Sequence, residues 1–432
     1  MMKIWISNCN IKTIRLICNI GCCVVLIKIW QLWSFGKPSL RKGGIMMNRF
    51  LARLAVSLFI ILSMTLIMRP AHVCADVKIG FNAPLTGFAA SDGKSALEGA
   101  KLAVAQANAK GGINGEKIEL VVYDDQAAPK EAVPVATKLV EKDKVIGAVS
   151  GSYSGSTRAA APIFQAAKVP YVVAYAIHPD ITLSGDYMFR TATMGEVQGR
   201  AGAKLVSDMG KKKVVLVTIK NDFGQALTAG FKEAYAKFGL TIVNEYEYGL
   251  PDRQFGPLVS KIKDDNPDVI YASGYYFTAG PLVSQLRAGG VTAPIIGQEG
   301  YDSEKFIEIA GPAAEGTLVT TSLDRDSESP VTQAFLAEFR KAAGFGADMV
   351  AASAYTAASV LIDGLKKSGG KGGEVLKNAI AAGTFNTPIG TLSFNDLHEV
   401  KKDIQVQIVK GNAFHRYAII SDAGLLTPPS KK

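Results

Sequence analysis

The chain has 432 residues, 48% of them hydrophobic and 20% charged, with 48 Lys+Arg against 38 Asp+Glu for a formal net charge of +10. That length and apolar content exclude a disordered chain and suit two lobes of ordinary domain size. The basic excess sits wholly in residues 1–75, which hold ten Lys/Arg and no Asp or Glu, leaving 38 of each sign from Asp76 onward; nothing in the balance argues for nucleic acid or an acidic membrane as partner.

Met46–Ala75 reads as a secretory signal. Arg49 and Arg53 form a positive start, Leu54–Met68 is an apolar stretch of 15 residues, and Val73 and Ala75 place small residues at the two positions a signal peptidase reads. The expected mature chain begins at Asp76 in the periplasm. Before the signal, Leu16–Trp33 is apolar but contains Lys28; residues 1–45 read either as an extra membrane segment or, as favoured here, as sequence upstream of a true start at Met46 or Met47. All five cysteines (Cys9, Cys18, Cys22, Cys23, Cys74) precede Asp76, so the mature chain is expected to lack disulfides and thiolate metal sites. Cys74 follows Ala71-His72-Val73, a poor context for lipid attachment.

From Asp76 short apolar runs alternate with longer helical ones. The expected strands are Val77–Phe81, Ile118–Tyr123, Val145–Val149, Tyr171–Ala174, Val214–Ile219, Thr241–Tyr246, Val269–Ala272, Ile295–Gly297 and Ile404–Val409. Most are continuous apolar runs, as in parallel strands covered on both faces. The expected helices are Ser95–Asn108, Ser156–Ala167, Gly199–Met209, Gln225–Phe238, Ala279–Ala288, Val331–Ala343 and Ala351–Lys367. The alternation implies a doubly wound α/β protein, in runs over residues 76–193 and 197–322. Ser368–Gly373 (SGGKGG) reads as a surface turn.

Two catalytic motifs are only approximated. Gly87–Ser95 (GFAASDGKS) has five residues between its glycines where a phosphate loop needs four. Gly151–Gly155 (GSYSG) has Tyr153, not Ser, at the centre of what would be a nucleophile elbow. After Asp76 the histidines are His178, His398 and His415; scattered and without cysteine, they make a metal site unexpected. No catalytic residue, metal or cofactor is expected.

A ligand-capture reading fits better. Gly151–Thr157 (GSYSGST) follows an apolar strand and opens a helix, where free amides and hydroxyls suit a carboxylate. The plainer alternative is that Ser154 or Ser156 caps the helix. Tyr175–Pro179 follows the next strand, and loops at strand carboxyl ends line the ligand crevice of an open α/β sheet.

These segments sit among others that resemble one family. PLTG at Pro84–Gly87, NAKGGING at Asn108–Gly115, YDD at Tyr123–Asp125, FRT at Phe189–Thr191, NDFG at Asn221–Gly224, EGYDSEKFIEIAG at Glu299–Gly311 and AEGTLVT at Ala314–Thr320 are similar, in order and spacing, to the leucine/isoleucine/valine-binding proteins, the periplasmic receptors of branched-chain amino-acid ABC transporters. The resemblance covers Asp76–Ser421. It implies a type I periplasmic binding fold, two doubly wound Rossmann-like lobes joined by a three-crossing hinge. Lobe one would be residues 76–196 plus 323–401, and lobe two 197–322 plus 402–426. The crossings would fall near Thr193–Val197, Ser322–Arg325 and Glu399–Lys402.

By the same resemblance Ser154 holds a ligand carboxylate, the Tyr175 carbonyl receives its ammonium, Glu299 pairs with that ammonium, and Phe223 and Tyr275 cover the ligand. Tyr153 and Ala176, in the same two loops, join the candidate contacts. Two positions depart from the family pattern. Ile177 stands where a Thr is common, so only its backbone could meet the ligand. Asp92 stands where a Tyr is common; it would either bring a second carboxylate toward Glu299 or point outward and cap a helix beginning near Ser95.

The implied protein is a monomeric solute receptor and not an enzyme, with a branched-chain or other aliphatic amino acid as ligand and membrane permease subunits as partners. Amides, urea-like compounds and aromatic or other carboxylates remain alternatives. A ligand sensor and an exported hydrolase using Ser154 with His178 are the competing functions.

Overall fold

A computed structural model describes residues 76–431. The expectations for the signal, residues 1–45 and the cysteines lie outside the described residues.

The first sheet is all parallel and has five strands, β1 (Val77–Ala83), β2 (Ile118–Asp124), β3 (Ala148–Ser150), β4 (Tyr171–Val173) and β5 (Met188–Arg190), in the order β2-β1-β3-β4-β5. Ile79, Phe81, Val149 and Val172 are fully buried in it, which is why these strands read as continuous apolar runs. Helices α1 (Ala90–Ala109), α2 (Pro129–Thr137), α3 (Ser154–Ala166) and the short α4 (Asp180–Leu183) connect them.

Helix α5 (Gly195–Asp208) carries the chain to a second sheet. This one contains β6 (Lys213–Ile219), β7 (Thr241–Tyr248), β8 (Val269–Ala272), β9 (Ile295–Gly297) and β10 (Leu318–Thr321), linked by α6 (Asp222–Ala234), α7 (Gly256–Asp265), α8 (Tyr276–Ala288) and α9 (Glu304–Ala310). The chain then returns to pack α10 (Pro330–Ala343), α11 (Met349–Lys367) and α12 (Gly373–Ala381) beside the first sheet, with α11 lying along α1. A hairpin, β11 (Thr384–Thr387) and β12 (Gly390–Ser393), precedes a third passage to β13 (Ile404–Lys410) and β14 (Ala413–Ile420). β13 adds antiparallel to β10 and β14 antiparallel to β13, completing the seven-strand order β14-β13-β10-β9-β8-β6-β7. The doubly wound α/β expectation therefore holds in both sheets.

Strand order fixes where a ligand can sit. In the first sheet the order reverses between β1 and β3, and in the second between β6 and β8. The carboxyl ends at such reversals open a crevice. They carry Pro84–Asp92 and Gly151–Ser154 on one side, and Asn221–Phe223 and Tyr275 on the other.

The expected elements are present, with shifted ends and omissions. Helices begin earlier than their apolar periodicity does: α1 at Ala90 instead of Ser95, α5 at Gly195 instead of Gly199, α8 at Tyr276 instead of Ala279. In α1 and α8 the first-turn side chains Asp92, Tyr276 and Phe277 turn toward the crevice region, so they fall outside the stripe that packs on the sheet. Strand β5 is missed because it is three residues long and ends in Arg190; α2 is missed because Pro134 interrupts its pattern. The SGGKGG turn joins α11 to α12, with Gly369 and Gly370 at φ of +66° and +79°, backbone angles that a side chain disfavours.

Candidate functional site

Seven of the nine candidate residues surround one tight cavity of about 20 Å³ between the two sheets: Asp92, Tyr153, Ser154, Tyr175, Phe223, Tyr275 and Glu299. Gly300, Met349 and Val350 complete its wall. Met349 and Val350 form the first turn of α11, two residues before the expected start of that helix at Ala351. Their only signal in the sequence was the position of a helix N-terminus.

The first-sheet side is built on α3. Tyr153 precedes the helix in extended conformation, and no side chain caps its terminus. The capping alternative for Ser154 and Ser156 is thereby set aside. Ser154 Oγ accepts from the Ile177 amide at 3.1 Å, and buried Ser156 Oγ has no partner. The Tyr175 hydroxyl donates to the Gly151 carbonyl, which ties the two loops together. The terminus of α3 offers unclaimed donors beside the cavity, a setting suited to an anion.

Ala176 and Ile177 do not line the cavity. The Ala176 carbonyl accepts from Arg190 Nη1 at 2.8 Å. The Ile177 amide is given to Ser154, and its carbonyl accepts from the Gly195 amide at 3.0 Å. The expectation that the Ile177 backbone meets the ligand is corrected: protein groups already occupy both of its polar atoms.

Arg190 is the residue that shapes this loop. It is fully buried, its Nε lies 3.0 Å from both oxygens of Glu399, and Nη2 donates to the His178 carbonyl at 2.7 Å. It thus fastens the Tyr175–Pro179 loop to the segment leading into β13. The sequence reading noted FRT as a motif without assigning Arg190 a role.

The second-sheet side is aromatic. Tyr275 stacks on Tyr153 with ring centres 4.3 Å apart and planes 11° apart, and on Phe223 at 4.9 Å. The Tyr276 hydroxyl donates to the Phe88 carbonyl at 3.2 Å, and Phe88 meets Phe277 edge-on. Arg158 Nε reaches Asp222 Oδ2 at 3.0 Å across the mouth. The crevice is closed, with rings from both sheets in contact.

Two carboxyls face this space. Glu299 follows β9 in a tight turn, and Gly300 lets that turn approach closely because a Cβ there would overlap the Gly274 carbonyl oxygen. Glu299 is 3% exposed, and neither of its oxygens has a hydrogen-bond partner. Burial pushes its carboxyl up from the usual range, against the opposing charge of Lys402. Lys402 is itself buried, donates to Ser322 Oγ at 3.0 Å, and is pushed down by desolvation.

Asp92 is the second carboxyl. It lies in the first turn of α1, 4% exposed, and accepts from the Tyr153 hydroxyl at 2.7 Å. Gly93 holds this turn against the Pro84 loop, where a Cβ would overlap the Pro84 carbonyl oxygen. Burial first, then the Asp348 charge, push the Asp92 carboxyl up to about 8, opposed by the Tyr153 hydrogen bond. The outward, helix-capping reading of Asp92 is overturned: the helix starts at Ala90 and the side chain lies along the cavity.

No histidine lines this cavity among the described residues. His178 lies beside Asp180, and His398 stacks on Phe189 at 4.0 Å. Ser154 therefore has no histidine base within the cavity. Among the described residues no helix is long and apolar enough to cross a membrane, and no cluster of His, Cys, Asp or Glu is placed to hold a metal ion.

The model of one family, periplasmic binding proteins, matches residues 76–413. A leucine-, isoleucine-, valine-, threonine- and alanine-binding protein of Pseudomonas aeruginosa is 31% identical over 366 residues, 84% of this chain and 95% of its own. Among solved structures, the branched-chain amino acid transporter substrate binding protein LivJ of Streptococcus pneumoniae, in complex with isoleucine, superposes with a TM-score of 0.75 at 30% identity, over 80% of this chain and 99% of its own. A solute binding protein of an R. palustris ABC transporter, in complex with benzoate, gives 0.74 at 26% identity, over 81% and 99%. The chain belongs to the periplasmic binding protein family and has its type I fold. Members of this family are solute-binding proteins of ABC transporters, not enzymes.

Proposed function

We propose that this protein captures a branched-chain or other aliphatic amino acid between two lobes and delivers it to the permease subunits of an ABC importer. The observation that carries the reading is the pairing of opposite poles in one closed cavity. The uncapped terminus of α3, with Ser154, suits a carboxylate, and Glu299, whose oxygens accept no hydrogen bond and whose nearby cation is buried Lys402, suits an ammonium. A zwitterion leaving water needs both. Phe223 and Tyr275 act as the lid. Lobe one is residues 76–196 with 323–401, and lobe two is 197–322 with 402–426. Ligand favours closure by binding the closed form more tightly than the open one. The receptor works as a monomer in the periplasm after cleavage at Ala75, and Edman sequencing of the periplasmic protein should begin at Asp76.

A thermal-shift screen over amino acids, amides and small carboxylates tests the ligand class. A true ligand at 100 times its dissociation constant adds about 2.7 kcal/mol of stability. An aromatic carboxylate is the second reading, favoured by the rings of Tyr153, Tyr175, Phe223 and Tyr275 around the cavity. Benzoate has no ammonium for Glu299, so a benzoate-only response would replace the first reading with the second.

A further inference from the structure

An α-amino acid backbone has two charged ends, and this cavity has three polar poles. The α3 terminus and Glu299 account for the two ends under the amino-acid reading above, on which this inference rests while it replaces a wholly aliphatic side chain with a donor-bearing one. Asp92 remains. It is 96% buried as the complement of its 4% exposure, and it lines the cavity beside apolar Met349 and Val350. The Tyr153 hydroxyl is its sole hydrogen-bond donor among the described residues, and it goes to Oδ2. No Lys, Arg or His forms an ion pair with Asp92 among the described residues. The charges around it do not help: Asp348 and Asp302 both repel it. Asp348 is already engaged by Ser95 Oγ and the Ala351 amide, and Asp302 by Arg325 and Thr321.

No hydrogen bond reaches Asp92 Oδ1 among the described residues, and a ligand that fills the cavity with a wholly aliphatic side chain would shut this oxygen off from water without giving it a partner, at a cost. A ligand group that donates a hydrogen bond removes that cost. From this geometry we infer that the preferred ligand is an amino acid whose side chain carries a hydrogen-bond donor, a hydroxyl or an amine, and that Asp92 receives it. Asp92 is then the specificity-determining residue of the pocket, separate from the groups that hold the amino-acid backbone. Discrimination on such a group is sharp, because a site built to receive a donor is left unpaired by the analogue lacking one.

The test uses matched pairs differing in the donor and little in volume: L-threonine against L-valine, and L-2,4-diaminobutyrate against L-norvaline. Calorimetric titration of the purified protein at pH 7 reads all four. The expected result is that at least one donor-bearing member binds tenfold or more tightly than its apolar twin. Asp92→Leu should erase that preference. Asp92→Asn, which keeps an accepting oxygen, should keep a hydroxyl preference and lose an amine preference. Apolar twins binding as tightly as their partners overturn the inference, as does a preference that survives Asp92→Leu. If Asp92→Leu does not fold, the wild-type pairs and Asp92→Asn decide. Binding of other α-amino acids with no donor preference sinks this inference alone. Failure of every α-amino acid sinks the amino-acid reading, and this inference with it.

Discussion

Replacing Asp92 with Asn should change how the stability of the ligand-free protein depends on pH. In the unfolded chain this carboxyl ionises near the ordinary aspartate value of 3.8, whereas in the folded protein burial raises it to about 8. Between pH 5 and pH 7 the unfolded chain has therefore lost a proton that the folded protein keeps. A carboxyl raised in this way lowers stability as pH rises, by about 1.4 kcal/mol per pH unit for one proton. Over two units Asp92 costs the folded state roughly 2.7 kcal/mol. Asp92→Asn preserves the shape and can still accept from the Tyr153 hydroxyl, but it does not titrate. Urea unfolding at pH 5, 6 and 7 measures the difference. The variant should gain on the wild type steadily with pH, by about 2–3 kcal/mol across the range. Parallel stability curves would refute the claim that Asp92 is buried and protonated in the empty cavity.

The remaining predictions concern groups that hold the ligand or shape its loop. Ser154→Ala should weaken binding by about 1–3 kcal/mol and also lower ligand-free stability, because the buried Ile177 amide loses its acceptor; calorimetry showing intact affinity would remove Ser154 from the site. Glu299→Gln should cost about 3–5 kcal/mol of affinity for the best α-amino acid, since it takes away the counter-charge while keeping the shape; titration giving an unchanged dissociation constant would exclude the assigned role. Arg190→Met should destabilise the fold by about 3–5 kcal/mol by stranding Glu399, and Arg190→Lys should not restore it, because an ammonium cannot reach Glu399 and two carbonyls at once. Urea unfolding that shows less than about 1 kcal/mol for Arg190→Met would count against the strut.

What the amino-acid sequence determined by itself was everything that depends on local period and on motif order. Apolar runs such as Val214–Ile219 could only be strands covered on both faces, and their alternation with helices set the doubly wound architecture. Glu299 was legible through the family resemblance carried by EGYDSEKFIEIAG, and the Ser-rich loop because it stands between a strand and a helix. The three-residue β5 and the β11–β12 hairpin were not legible, since segments that short, with Arg, Asn and Gly in them, carry no period.

Tertiary structure alone decided how distant segments meet. Asp92 and Tyr153 are 61 residues apart, and Arg190 and Glu399 are 209 apart. Periodicity reports which face of an element packs on its own sheet, and it says nothing of a side chain aimed across a crevice. So the inward aim of Asp92, the loss of Ile177 as a contact and the entry of Met349 and Val350 into the wall emerged only with the fold. The charge states of the two cavity carboxyls have the same origin. Desolvation is created when the two sheets close over them, and no property of residue 92 or 299 within its own segment contains it.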